Sequence, residues 1–223
     1  MKQFILACFL FSTLLPGCNK VEQKKDLSES AKNESSKVFT TLEERQEYLA
    51  ELLAVRAEKD SFLRKSSDSP FKKEQRRTFQ GLKYFEVNPD FVVRATFHRN
   101  ENPPPMTITT TTGSSRTAIK YGHLEFALSG KTHRLAVYKF TDKSDKAPKN
   151  YLFVPFTDST SGEKTYGAGR YLDLEESETG EYVLDFNRAY NPYCAYNEGY
   201  SCPIPPRENR LSMAVIAGEK LYH

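Results

Sequence analysis

Between Asp185 and Asn209 the chain reads DFNRAYNPYCAYNEGYSCPIPPREN, a run too polar and proline-rich for a strand and too aromatic for a plain linker. Asp185 and Glu208 are carboxylates from which a general acid and base could be drawn, provided their surroundings push their pKa values apart. Asn187, Asn191, Asn197 and Asn209 carry donors and acceptors for a polar ligand, and Tyr190 and Tyr196 offer aromatic walls with a hydroxyl tip. Upstream, Arg170 follows Gly167-Ala168-Gly169, so a planar guanidinium suited to carboxylate or phosphate stands beside small residues that let a ligand approach the backbone. These residue types point first to binding of a small polar or anionic ligand and second to a carboxylate-based hydrolase. A third reading is a non-catalytic interaction protein. There the stretch is a rigid plug, Arg170 pairs with Asp185 or Glu208 beneath it, and the Asn side chains satisfy turn backbone.

Other chemistries find less support. Ser161-Gly162 lacks a nucleophile elbow, and Cys194 has no His close in sequence, although His123 could approach it in the fold. Asp185, Asn187, Asn191 and Glu208 are hard oxygen donors and Cys194 and Cys202 soft ones, but no spacing is diagnostic. No metal and no cofactor is therefore assigned, and His98 and His133 read as surface residues of strands.

The location of such a site follows from the N-terminus. A basic Met1-Lys2, an apolar run from Phe4 to Leu15 and the box Leu15-Pro16-Gly17-Cys18 form a bacterial lipoprotein signal, with residues 1–17 cleaved and Cys18 lipidated. The run falls short of the ~20 residues that span a bilayer. The expected address is the cell envelope, anchored by lipid and facing the periplasm or the surface, with the outer membrane favoured over the inner. Cys8 leaves with the signal, so Cys194 and Cys202 remain as a pair in an oxidising compartment and are expected to form a disulfide. Closing that short loop would stabilise the fold by about 2.5 kcal/mol. A formal charge of +3 from 32 basic and 29 acidic residues gives no strong field, and no basic cluster interleaves with aromatics, so the expected partners are the membrane and a small molecule rather than nucleic acid.

The elements that position these residues can be read in turn. Residues 18–40 are Lys, Glu, Ser and Asn with few large apolar side chains, a tether. Thr41 to Glu44 form a capping box, and Leu42, Leu49, Leu52, Leu53, Arg56 and Leu63 recur at helical spacing, which predicts one amphipathic helix over 41–66 with Arg56 and Lys59 facing solvent. From 67 to 223 nine or ten short runs, among them 82–87, 91–98, 123–128 and 211–217, predict a mainly β domain, an antiparallel sandwich or a partly open barrel. Ser129-Gly130-Lys131-Thr132 suits a hairpin with Gly at its first central position. The segment 187–210 is then a loop of a length that is usually functional or disordered, and its tyrosines and cysteines argue for order.

Several local strings carry a further signal: Phe156-Thr157-Asp158, Thr165 to Leu172 (TYGAGRYL), Asp185-Phe186-Asn187, Ala189-Tyr190-Asn191-Pro192, Cys194-Ala195, Cys202-Pro203, Glu208-Asn209-Arg210-Leu211 and Ala217-Gly218-Glu219-Lys220. Together they resemble the signature of the family called domain of unknown function 1684, and the resemblance runs from the helix near Arg56, through Phe79-Gln80-Gly81-Leu82, to Lys220. Tyr193 departs from the Pro often found there. The resemblance implies no activity, since the family is uncharacterised. It implies that these polar positions form the family's site, and that members without export signals keep the same two cysteines, which a disulfide alone would not explain.

Overall fold

The computed structural model describes residues 38–142 and 147–223, so the signal, Cys18 and most of the tether lie outside the described residues. The expected helix is α1, Leu42–Lys65, and its capping box is formed: the Thr41 hydroxyl accepts from the Glu44 N–H, and the Glu44 carboxylate accepts from the Thr41 N–H at 2.9 Å. A short helix α2, Lys73–Thr78, was not foreseen, because six residues are too few to show a period. No helix among the described residues is long and apolar enough to cross a membrane.

Among the described residues seven antiparallel strands follow: β1 Val92–Arg99, β2 Pro105–Thr109, β3 Ser115–Leu128, β4 Lys131–Phe140, β5 Tyr151–Phe156, β6 Arg170–Glu175 and β7 Glu181–Asp185. They form one sheet in the order β6-β5-β4-β3-β1-β7, with β2 paired to β3. The sheet curls until its edges nearly meet: Tyr171 in β6 exchanges backbone hydrogen bonds of 2.9 and 3.1 Å with Tyr190, just beyond β7. Of the two architectures left open by the sequence, the nearly closed barrel is the one formed. Two expected strands are absent. Residues 82–87 and 211–217 run as irregular segments, the first touching the C-terminal segment through a single bridge, Tyr84 to Glu219. The β3–β4 hairpin turns on Ser129 and Gly130, both at positive φ, so Gly occupies the second central position rather than the first.

The strands alternate as the pleat demands, and the interior holds Leu124, Leu135, Val137, Leu152, Val154, Phe156, Leu184 and Phe186. Burying each such side chain contributes roughly 1.5–3 kcal/mol. The outer face of β4, β5 and β6 is covered as well, by Ile108, Tyr138, Phe153 and Tyr171. Part of the 187–210 segment lies over this side, where Thr111 and Ile204 donate to Cys202 and Thr109 carbonyls. That is why the β4 and β5 runs read as continuously apolar.

Candidate functional site

The residues singled out by sequence are mostly bound to the fold. Arg170 is 1% exposed; its guanidinium donates to Asp158 Oδ2 at 2.9 Å and to the carbonyls of Val215, Ala217 and Glu219. It pairs with neither Asp185 nor Glu208, and it rivets the C-terminal segment to the barrel. The small residue before it serves the same close packing: a Cβ on Gly169, whose φ is +95°, would lie 2.6 Å from the Phe156 carbonyl oxygen. Asn209 is fully buried, taking the Ala136 N–H on Oδ1 and donating through Nδ2 to Ala136 and Pro155 carbonyls. Asn187 bonds both backbone groups of Asn88, and Asn197 donates to the Pro70 carbonyl. Asn191 gives its N–H to Glu219 and its amide NH₂ to the Lys220 carbonyl, and Tyr196 gives its hydroxyl to Glu219 at 2.5 Å.

The two carboxylates do not meet in one network. Asp185 accepts from the Tyr48 hydroxyl of α1 at 2.9 Å, from the Asn187 N–H and from Arg188 Nε. Glu208 accepts from Lys120 and from Tyr138 Oη on the outer side of the sheet. Burial alone would raise the Glu208 pKa, but the hydrogen bonds from Lys120 and Tyr138 outweigh it and hold the pKa below the usual value. Neither carboxylate faces the other across a space where a substrate bond could sit.

Cys194 and Cys202, the pair expected to form a disulfide, lie side by side and buried, here as free thiols. The Cys194 N–H donates to Cys202 Sγ at 3.1 Å and Tyr166 Oη to Cys194 Sγ at 3.6 Å. The hydrogen bond from the Cys202 thiol, with that of Tyr166, pulls the Cys194 pKa down to about 6, while Cys202, the donor, is pushed up.

What the sequence reading placed in solvent lies instead against the barrel. Helix α1 is clamped at two apolar points, Tyr48 and Leu52 against Val92, and Leu63 against Phe71, Phe79, Ala195 and Tyr196. Between them Arg56 and Lys59 point inward, contrary to their expected solvent-facing role, because the buried stripe of α1 runs through positions 48, 52, 56, 59 and 63. Arg56 donates to the Phe85 and Asn187 carbonyls at 3.3 and 3.1 Å and stacks over the Tyr84 ring at 4.2 Å. Lys59 pairs with Glu219 at 2.5 Å and lies over the Tyr190 ring. Glu219, 1% exposed, is held in place by Gly218: at φ +76° a Cβ there would sit 2.5 Å from the Ala189 carbonyl oxygen, and the Glu219 N–H donates to that same oxygen.

Beneath the helix this leaves a cavity of about 200 Å³ lined by Arg56, Lys59, Tyr84, Asn187, Tyr190 and Glu219, among others. It adjoins an open groove of about 510 Å³ that shares Val55, Lys59 and Tyr190 and runs past Phe62, Tyr193 and Asp173. Two donors on the cavity's lining residues, Arg56 Nε and Tyr84 Oη, are buried and have no hydrogen-bond partner among the described residues. Among the described residues Arg56 also meets no carboxylate at ion-pair distance. Burial lowers its pKa and raises that of Tyr84, the latter helped by nearby Glu219 and Asp60, so Tyr84 stays a neutral donor. A larger hollow of about 550 Å³ crosses β1, β3 and β7, but its lining holds no orphaned buried polar atom. Among the described residues no cluster of three His, Cys, Asp or Glu side chains could hold a metal.

Of the predicted residues, then, Tyr190 and Asn187 line the cleft, and Asn191 and Tyr196 support its Glu219. Arg170, Asn197, Asn209, Asp185 and Glu208 serve other contacts. Arg56, Lys59, Tyr84 and Glu219 were missed as site residues. Arg56 did carry a signal, an arginine in the apolar repeat of the helix.

A nearly closed barrel with one helix lying over a cleft defines the class of molecule. Its family follows from comparison: the model described as "Protein of unknown function (DUF1684)" matches residues 77–220, and the chain belongs to that family. It is also similar to a solved structure, the solution NMR structure of the uncharacterized protein from gene locus rrnAC0354 of Haloarcula marismortui. The two are 37% identical with a TM-score of 0.61, over 81% of this chain and 97% of that one. No curated protein matches the chain.

Proposed function

We propose that this protein binds a small polar, anionic ligand in the cleft between α1 and the barrel, on a domain tethered to the cell envelope through lipidated Cys18. The observation that carries the reading is the pair of buried donors, Arg56 Nε and Tyr84 Oη, on two residues that line one cavity, neither with an acceptor among the described residues. An unmet buried donor costs about 1–3 kcal/mol, and an acceptor that meets it recovers that energy as affinity. Arg56 supplies a charge that no carboxylate among the described residues meets at ion-pair distance, whereas the Lys59 charge is spent on Glu219. The reaction reading through Asp185 and Glu208 gains no support from their separate networks, so ligand binding stands alone.

Calorimetric titration of the domain lacking Cys18 with carboxylate and phosphate salts tests the site. Saturable binding that Arg56→Gln weakens by tenfold or more, with little change in melting temperature, is the expected result. Binding unaffected by Arg56→Gln would remove the reading. The anchor is tested separately: labelled palmitate should be incorporated by the full chain, and Cys18→Ser should abolish labelling and release the protein from membranes.

A further inference from the structure

The cleft has two connected parts, both with largely apolar walls, and the placing of Arg56 and Tyr84 in the inner one narrows the ligand class beyond a generic anion. The inner cavity offers the charged and hydroxyl donors of Arg56 and Tyr84. The outer groove is largely apolar, and three of the large hydrophobic side chains exposed on the described residues fall in it: Val55 at 39%, Phe62 at 37% and Tyr193 at 38%. Exposed apolar residues scattered singly need no explanation, but three on the rim of one groove that opens onto a cationic cavity do. A small inorganic anion would leave this apolar surface in water, and a purely apolar guest would leave Arg56 Nε unmatched.

The acidic residues limit the charge. Glu219 stands in the cavity wall with its oxygens already engaged by Lys59, Tyr196 and the Asn191 N–H, so the Lys59 charge is spent on it and Arg56 is left to answer a single negative charge. Asp173 and Glu58 line the outer groove, where a second anionic group on the ligand's far end would meet like charge.

We propose that the cleft takes amphipathic monocarboxylates, the carboxylate entering the inner cavity on Arg56 and Tyr84 and the apolar body lying along Val55, Phe62 and Tyr193. This rests on the anion-binding reading above and adds to it the apolar body and the single charge.

The test is a calorimetric series on the domain lacking Cys18, with butyrate, caproate and caprylate, the dianion suberate, and uncharged caprylamide. Affinity is expected to climb about threefold per added methylene along the monocarboxylates. Suberate and caprylamide should each bind at least about tenfold more weakly than caprylate. Phe62→Ser, at an exposed position where the fold tolerates change, should lower caprylate affinity more than butyrate affinity. Equal affinity for butyrate and caprylate, or for suberate and caprylate, overturns the ligand class while the anion reading survives. Caprylamide binding as tightly as caprylate overturns both; the absence of binding by every acid in the series overturns the ligand class, and overturns the anion reading too when phosphate also fails to bind.

Discussion

Arg170 and Arg56 both turn inward, and in each the Nε is buried without a partner among the described residues. Their surroundings differ. Arg170 is 1% exposed, holds the carboxylate of Asp158 and three backbone carbonyls, and lines neither part of the cleft. Arg56 has two carbonyls and an aromatic face, no carboxylate, and a cavity beside it. An orphaned atom therefore does not define a site by itself. In the first arginine it is the residual cost of a core rivet, and in the second it belongs to a side chain that lines a cavity. The same contrast separates the 187–210 segment, whose Asn side chains mostly bind backbone, from the seam under α1, where polar atoms are left over.

The sharpest way to break this contrast is to remove each arginine. Arg170→Met leaves Asp158 buried and charged without its partner, which costs about 3–5 kcal/mol. At roughly 2–4 °C per kcal/mol for a domain of this size, the melting temperature should fall by about 6 °C or more. Adding Asp158→Leu should recover much of that loss, because replacing both members of a buried pair is far cheaper than removing one. Loss of less than about 1 kcal/mol in urea unfolding of Arg170→Met would mean that Arg170 is no rivet. A second, smaller effect is expected within the loop. Oxidation of Cys194 and Cys202 should lower the mass by two hydrogens and raise stability by up to about 2.5 kcal/mol. An oxidised form that melts lower than the reduced one would show that the thiols' packing resists the bond. Arg56→Gln should then change stability by under about 1 kcal/mol, since the orphaned donor disappears with the two hydrogen bonds, while anion binding is lost. Measured side by side, the two arginine variants should separate stability from binding.

These outcomes also locate what the sequence could and could not carry. The capping box of Thr41 and Glu44, the alternation along β1 and the mainly β character were legible because each is a local pattern. The strands expected at 82–87 and 211–217 failed because apolar β-prone residues there are buried by neighbours without forming ladders: Leu211, Val215 and Ala217 belong to the core, and Tyr84 makes one bridge. The candidate site was displaced for a related reason. Asn and Arg side chains that satisfy buried backbone look, in sequence, the same as those that await a ligand, and only partners far along the chain, 73 to 127 residues away for Asn187, Asn197 and Asn209, distinguish them. Lys59 and Glu219 are separated by 160 residues and gave no joint signal. Arg56 gave one, as a charge on the apolar stripe of α1.

The smallest effect concerns Asp173, and it asks whether the acidic rim of the groove belongs with the rivets or with the site. Its carboxylate accepts the hydroxyls of Tyr151 and Tyr190 at 2.8 Å and has no cation at ion-pair distance among the described residues. Burial by neighbouring protein holds its pKa above the ordinary 3.8, the two hydroxyls and Lys59 opposing the shift. A carboxylate raised in the folded state disfavours folding once pH exceeds the folded value, and the penalty disappears as pH falls to 3.8 and below, where both states are protonated. Asn offers the hydroxyls an acceptor without the charge. Asp173→Asn should therefore be slightly more stable than the parent at pH 7, by under about 1 kcal/mol because the side chain keeps solvent contact, and the two melting curves should converge under acid. Caprylate should bind the variant more tightly, since like charge has left the groove. If the variant is instead less stable at neutral pH, Asp173 acts on its tyrosines as Asp158 acts on Arg170, and the rim of the groove is part of the scaffold rather than a selector of charge.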